Sequence, residues 1–205
     1  YDSGVHIDGI YPINPSDNAT LYTACDMTTD GGGWTIFQKR VSNSVDFEQN
    51  REKYIDGFGD LDTNLWLGLA NIVALTNGSC ALRVDMTIAN GTSLFAKYSS
   101  FSVSTHPNYT LSLSGYSGDA GDGMTAYPTQ NNMKFSTYDN DVDVNVQTNC
   151  AQLRNGGWWH SSCGKVNLNG AYIAPGTETY TGINWTIATD GKMRSLKTAR
   201  MMVRC

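Results

Sequence analysis

Between Cys80 and Ile88 the chain alternates: Leu82, Val84, Met86 and Ile88 are apolar, while Arg83, Asp85 and Thr87 between them are polar. A period of two is what a strand with one buried and one wet face requires. Comparable β-favouring runs recur as "GWTIFQKRV", "SLFAKYSSFSV", "YTLSLSGY" and the closing "TARMMVRC", bounded by Gly, Asn, Ser or Asp. The best helical segment is "LDTNLWLGLANIVALTNGS". Asp62 or Thr63 can cap its start, and Asn77-Gly78 can stop a second short helix begun after Gly68. Strands dominate and helix is the minority.

From about Gly115 to Gly182 the pattern fades, and Gly, Asn, Asp and Thr replace apolar residues in stretches such as "GYSGDAGDGMTAYPTQNNM". A run this long without regular elements is either disordered or functional, and its aromatics and half-cystines favour an ordered, function-bearing loop region. No tandem repeat or linker separates it, so the 205 residues read as one domain carrying a loop-built subdomain.

A formal charge of −5 with only 14 basic residues excludes the clustered cations of a nucleic-acid surface. No apolar run is long enough to cross a bilayer, and the start "YDSGVHIDGIYPI" lacks the features of a signal peptide, so membrane insertion is not expected. Cys25, Cys80, Cys150, Cys163 and Cys205 contain no C-x-x-C pair, which leaves structural disulfides as their common use. An odd count points to one partner outside this stretch, with Cys25 or Cys205 the obvious candidate. Sequons at Asn18, Asn77, Asn90, Asn108 and Asn184 are compatible with secretion, the first four being the glycosylation candidates.

In "FSTYDNDVDVNVQTNC", Asp139, Asp141 and Asp143 alternate, with Asn145 two residues on. Hard oxygen ligands so spaced are what Ca²⁺ takes, and the ion relieves the repulsion between carboxylates. An EF-hand does not fit: Val144 stands where the loop's Gly belongs, and Cys150 where its bidentate Glu belongs. A solvated acidic turn is the second reading. A disulfide from Cys150 to Cys163 would anchor one end of the loop and remove about 3 kcal/mol of unfolded-state freedom.

Four blocks, "DGGGWTIFQKR", "FSTYDND…NCA", "GGWWHSSC…NLNGAY" and "GINW", resemble in order the signatures of the fibrinogen C-terminal domain family. "DFEQNREKYIDGFGDLDTNLWLGLANIVALT", "ALRVDM", "YSGDAGD" and "SLKTARMMVR" extend the resemblance over nearly the whole chain. It implies an α+β fold with a central twisted antiparallel sheet, few short helices and a loop-rich Ca²⁺-binding subdomain. The expected parts are an N-terminal piece at 1–34, the sheet at 35–112 plus 193–205, and the loop subdomain at 113–192. The last strand should lie beside "CALRVDM".

The same resemblance implies that Asp141 and Asp143 hold Ca²⁺ through their carboxylates and Asn145 and Gln147 through backbone carbonyls, with Asp139 supporting. It implies a Cys150–Cys163 disulfide, a cis peptide at Ser162–Cys163, and a mate for Cys25 upstream of Tyr1. Cys80–Cys205 is expected as an extra pair from strand adjacency. Ficolin- and tachylectin-like members bind acetylated sugars among aromatic rings, but here Gly164 replaces the usual His, and Arg154 and about Lys192 replace rings. Tyr180, with Trp185 nearby, keeps an aromatic wall.

The expected ligand-binding set is therefore Arg154, His160, Ser162, Cys163, Gly164, Tyr180 and Lys192, with the two cations able to attract an acidic glycan group. The alternative is that Arg154 and Lys192 are solvated surface residues. Trp158 is assigned to the interior, while Trp159 is left open between interior and sugar platform. Fibrin-type polymerisation is disfavoured, because its acidic and His positions align with Arg154 and Gly164. Only His6, His106 and His160 occur, and no catalytic motif stands out. The expected function is a secreted, Ca²⁺-dependent, innate-immune lectin for microbial or host glycans, oligomeric in the full-length protein. A receptor- or matrix-binding module without lectin activity is the alternative.

Overall fold

The computed structural model of the chain describes residues 7–16 and 19–205. Asn18 and His6 lie outside them. Eleven strands are formed among the described residues: β1 Gly9–Ser16, β2 Ala19–Asp26, β3 Trp34–Arg40, β4 Phe58–Gly59, β5 Leu65–Trp66, β6 Cys80–Thr87, β7 Ser93–Val103, β8 Leu111–Gly118, β9 Val166–Asn167, β10 Asn184–Trp185 and β11 Thr198–Arg204. Nine make one sheet in the order β1-β2-β3-β11-β6-β7-β8, with β5 joining β3 and β4 joining β5. Its named strand pairs are antiparallel. The last strand lies between β3 and β6, with Arg204 opposite Ala81.

On β6 the alternation buries Leu82, Val84 and Met86, and leaves Arg83 and Asp85 partly exposed. Tyr98 on β7, Leu111 and Leu113 on β8 and Met201 on β11 join the same core, which continues into Trp66, Phe135, Trp158, Trp159 and Trp185. Each aliphatic side chain fully withdrawn from water contributes about 1.5–3 kcal/mol. One core thus serves both sheet and loop region.

Three short α-helices are formed among the described residues: α1 Arg51–Asp56, α2 Leu69–Leu75 and α3 Cys150–Leu153. The helix expected from Asp62 or Thr63 is absent, because Leu65 and Trp66 pair as a strand with Lys39 and Gln38. Local propensity yields there to the sheet edge. α2 starts after Gly68, as predicted, but ends at Leu75 with Thr76 as its C-cap, before Asn77-Gly78.

Two buried polar residues of β3 fasten the loop region to the sheet. Gln38 donates from Nε2 to the Leu168 carbonyl at 2.9 Å, and Arg40 donates from Nη1 to the Gly170 carbonyl at 2.6 Å. The Arg40 guanidinium also lies 3.8 Å above the Phe47 ring. Gly170 also lets the 181–182 backbone pack against it, since a Cβ there would stand 2.2 Å from the Gly182 carbonyl oxygen.

Candidate functional site

The acidic loop is stitched at both ends. Asn149 caps α3 by accepting from the Gln152 amide, while its Nδ2 donates to the carbonyls of Thr137 and Tyr138 at 3.2 Å each. Asp139 accepts from the Arg51 amide at 3.0 Å and the Thr137 hydroxyl at 2.8 Å, tying the loop to α1. Asp143 accepts from the Asn145 amide at 2.7 Å through Oδ1 and from the Cys150 amide at 2.8 Å through Oδ2. Asp141 accepts from the Asp143 amide at 3.3 Å and the Ser136 hydroxyl at 3.4 Å.

Partial burial, followed by the nearby Asp141 charge, raises the Asp143 carboxyl above the usual range, despite the two amides that favour its ionised form. The carbonyls of Asn145 and Gln147 receive no hydrogen bond from the described residues. No three His, Cys, Asp or Glu side chains among the described residues are grouped to hold a metal. Two carboxylates and two open carbonyls are therefore the loop's hard donors.

Cys150 and Cys163 form a disulfide at this loop, and the Asn145 Nδ2 approaches Cys163 Sγ at 3.8 Å. Cys80 and Cys205 are also bonded, fastening the end of the chain to β6. Cys25 is free and buried. The Ser162–Cys163 peptide differs from expectation: the cis bonds among the described residues are His106–Pro107 and Tyr127–Pro128. The turn is made instead by positive φ at Cys163 and Gly164, 60° and 57°. A Cβ at Gly164 would meet Gln130 Nε2 at 2.5 Å. Gln130 uses that amide to donate to the Val166 carbonyl at 2.6 Å and accepts from Trp158 Nε1 at 3.1 Å, so glycine suits the position sterically.

The remaining expected ligand residues separate by depth. Ser162, Tyr180 and Lys192 are exposed, Tyr180 by 67%. Lys192 Nζ stands 3.9 Å from the Glu178 carboxylate. Arg154 is only 1% exposed, which corrects the reading of a solvated surface cation. Its amide caps α3 on the Cys150 carbonyl, and its own carbonyl accepts from Asn167 Nδ2 at 2.8 Å. Burial lowers the guanidinium to about 10, still charged at neutral pH.

His160 is wholly buried, donating from Nε2 to the Gly156 carbonyl at 3.1 Å. Burial, with a smaller push from Arg154, takes it down to about 3. As a ligand-binding residue it is corrected to an interior one, out of reach of solvent. Trp158, Trp159 and Trp185 are likewise buried, so none presents a sugar platform and Trp185 is no pocket wall. Sequence reasoning missed Gln130, which fills the space beside Gly164, and Met193, whose Sδ receives Arg154 Nη1 at 3.1 Å. Neither carries a local signal, since both come from distant turns.

Of the sequons, Asn77, Asn90 and Asn108 are exposed, whereas Asn184 is buried in β10. A cleft of about 470 Å³ crosses the outer sheet face, but its Arg83, Asp85 and Arg200 are paired with one another at 2.7 Å. No helix among the described residues is long and apolar enough to cross a membrane.

A nine-stranded antiparallel sheet bearing a disulfide-stapled loop subdomain is the layout of a fibrinogen-like globe. The family model for the fibrinogen beta and gamma chains, C-terminal globular domain, matches residues 1–205, and the chain belongs to that family. It is 42% identical over 214 residues to microfibril-associated glycoprotein 4 of Bos taurus, covering 100% of this chain and 82% of that protein. Identity to fibrinogen C domain-containing protein 1 of Xenopus tropicalis is 40% over 213 residues, 100% of this chain and 46% of that one. The fibrinogen-like globe domain of human ANGPTL2 superposes with a TM-score of 0.93 at 39% identity, covering 99% and 94% of the two chains. Lamprey fibrin D-dimer, complexed with the peptide ligand Gly-His-Arg-Pro-amide, gives 0.88 at 31% identity over 98% and 70%.

Proposed function

We propose that this domain is an extracellular, calcium-braced recognition module that binds glycans beside the Cys150–Cys163 loop, as an innate-immune lectin. The observation that carries the reading is the joining of the acidic loop to the disulfide: Asp143 accepts the Cys150 amide and Asn145 reaches Cys163. The carboxylates of Asp141 and Asp143 and the carbonyls of Asn145 and Gln147 are the oxygen donors Ca²⁺ takes, and its charge would favour the ionised form of Asp143, which partial burial and then the Asp141 charge disfavour. Those four residues would hold the ion. Its contribution is structural, fixing the Ser162–Gly164 turn that a ligand meets.

Two disulfides and the exposed sequons at Asn77, Asn90 and Asn108 support an oxidising, extracellular setting. The proposed role is binding; His160, the histidine of the loop subdomain, is sealed and held neutral, so it offers no general base to a bound ligand. Single sugars bind weakly to one such module. Copies assembled in the full-length protein would raise apparent affinity by about 10²- to 10⁴-fold. A second reading, a protein or peptide ligand without lectin activity, is favoured by the peptide held in the lamprey fibrin neighbour.

Binding to a broad immobilised glycan panel, measured in Ca²⁺ and after chelation, separates the two. Glycan binding that chelator abolishes and Ca²⁺ restores is expected. Silence across the panel, alongside tight binding to a protein ligand, would establish the second reading instead.

A further inference from the structure

A second cleft, of about 420 Å³, lies where β1, the end of α2 and the end of β11 meet. Its apolar lining comes from Ile13, Pro15, Leu75 and Val203; the first three are only half-buried, so aliphatic surface there faces water. Covering it would be favourable in proportion to the apolar area removed from solvent. The volume lies within the range of small-ligand sites, roughly 300–1,000 Å³. Asn77 and the exposed Cys205 stand in the same lining. Asn77 opens the sequon Asn77-Gly78-Ser79, all three residues are exposed, and a Cβ built on Gly78 meets nothing within 4 Å. An attachment point for a sugar thus borders an uncovered apolar cleft.

The order of synthesis keeps this sequon open. Ser79 is followed directly by Cys80, whose disulfide partner Cys205 lies 125 residues further along the chain, and β6, which begins at Cys80, has β11 as one neighbour. At about 5–20 residues per second, making those 125 residues takes roughly 6–25 s. Through that interval neither the disulfide nor the β6–β11 pairing can hold the Asn77 turn closed. Asn184, by contrast, is buried in the folded domain.

We propose that Asn77 carries an N-linked glycan whose innermost N-acetylated sugars lie in this cleft, their C–H faces and acetyl methyls over Pro15 and Leu75, and shield the Cys205 side of the Cys80–Cys205 disulfide. The transfer joins Asn77 Nδ2 to the anomeric carbon of a lipid diphosphate-linked oligosaccharide. The bond from that carbon to the diphosphate oxygen breaks, the amide gives up one proton, and the lipid diphosphate leaves. The inference goes beyond the ligand reading and shares with it only the extracellular setting. It closes this end of the sheet with the chain's own sugar.

The test uses the chain secreted from a eukaryotic cell line. Peptide mapping after enzymatic release of N-glycans in heavy-oxygen water reads occupancy at each sequon, and alkylation after timed exposure to dithiothreitol reads the reduction of each disulfide. Asn77 is expected to be occupied. Cys80–Cys205 should be reduced about threefold or more faster in Ser79→Ala, which removes the sequon from an exposed turn, because reduction depends on access to the sulfurs. Enzymatically deglycosylated wild type, which needs no variant to fold, should show the same gain. Thr92→Ala, which removes the Asn90 sequon, should leave the rate unchanged. Asn77 unoccupied while Asn90 or Asn108 carries sugar, or a rate that Ser79→Ala does not raise or that Thr92→Ala raises equally, would overturn the inference and leave the calcium and ligand readings standing. No sugar at any sequon would overturn it and also remove the sequons' support for an extracellular setting.

Discussion

Trp159→Ala is expected to destabilise the domain by about 4 kcal/mol, the cost of a large cavity in a core that cannot fully collapse. The ring is wholly buried, with centroids 5.1 Å from Phe135, 5.2 Å from Trp158 and 6.2 Å from Trp66. Its Nε1 also donates to the Tyr109 carbonyl at 2.8 Å, so Trp159→Phe should still cost about 1–3 kcal/mol by leaving that carbonyl unpaired. For a domain of this size, 4 kcal/mol lowers the melting temperature by roughly 10 °C. Calorimetric melting of both variants checks the values. A Trp159→Ala protein that melts like wild type but loses sugar binding would show that the ring serves the surface after all.

Acid should unfold the domain through His160. Its native-state value of about 3 lies well below the ordinary 6.5. Between those values the unfolded chain binds a proton that the native state does not, so stability is complete above about pH 6.5 and is lost as pH falls. The slope is about 1.4 kcal/mol per pH unit, giving a deficit of roughly 3 kcal/mol by pH 4. His160→Gln, which cannot protonate in this range, should remove that component while keeping a donor for the Gly156 carbonyl. Denaturant unfolding at several pH values compares the two. Parallel pH profiles for wild type and variant would contradict the burial of a neutral imidazole.

Much of the sheet was legible because its strands obey local rules. The alternation of Leu82, Val84 and Met86, and the β-favouring runs from Trp34, Ser93, Leu111 and Thr198, are strands in the structure. The β1–β2 hairpin went unread. Its exposed Ile10 and Tyr22 break the inside-outside pattern that marks a half-buried strand. α1 is likewise absent from the sequence expectation, although Asn50, which accepts the Lys53 amide, and Gly57 after its end are ordinary start and stop signals. Leu65 and Trp66 read as helix until the pairing with β3 is known, which no local window contains.

At the site, the acidic spacing and the resemblance pointed to the loop, while depth was invisible. A lone Arg after a short helix reads as surface, yet the four residues of α3 turn Arg154 inward beneath Met193. His160 and Trp159 follow Trp158 into the same interior, where three consecutive large side chains are accommodated because Gly156 and Gly157 precede them. Gly157 lies against the Tyr54 and Phe135 rings, with no room for a Cβ.

We propose that the Asp141–Gln147 loop holds calcium and thereby braces the turn a ligand meets. A calorimetric Ca²⁺ titration of the wild-type domain, Asp141→Ala and Asp143→Ala, with the melting temperature followed in parallel, tests it most directly. One site per domain is expected, with a rise in melting temperature on binding and affinity at least tenfold weaker in each variant, a loss of about 1.4 kcal/mol or more. Wild-type affinity in both variants, or a wild-type domain that neither binds Ca²⁺ nor gains stability from it, would rule out calcium bracing by this loop.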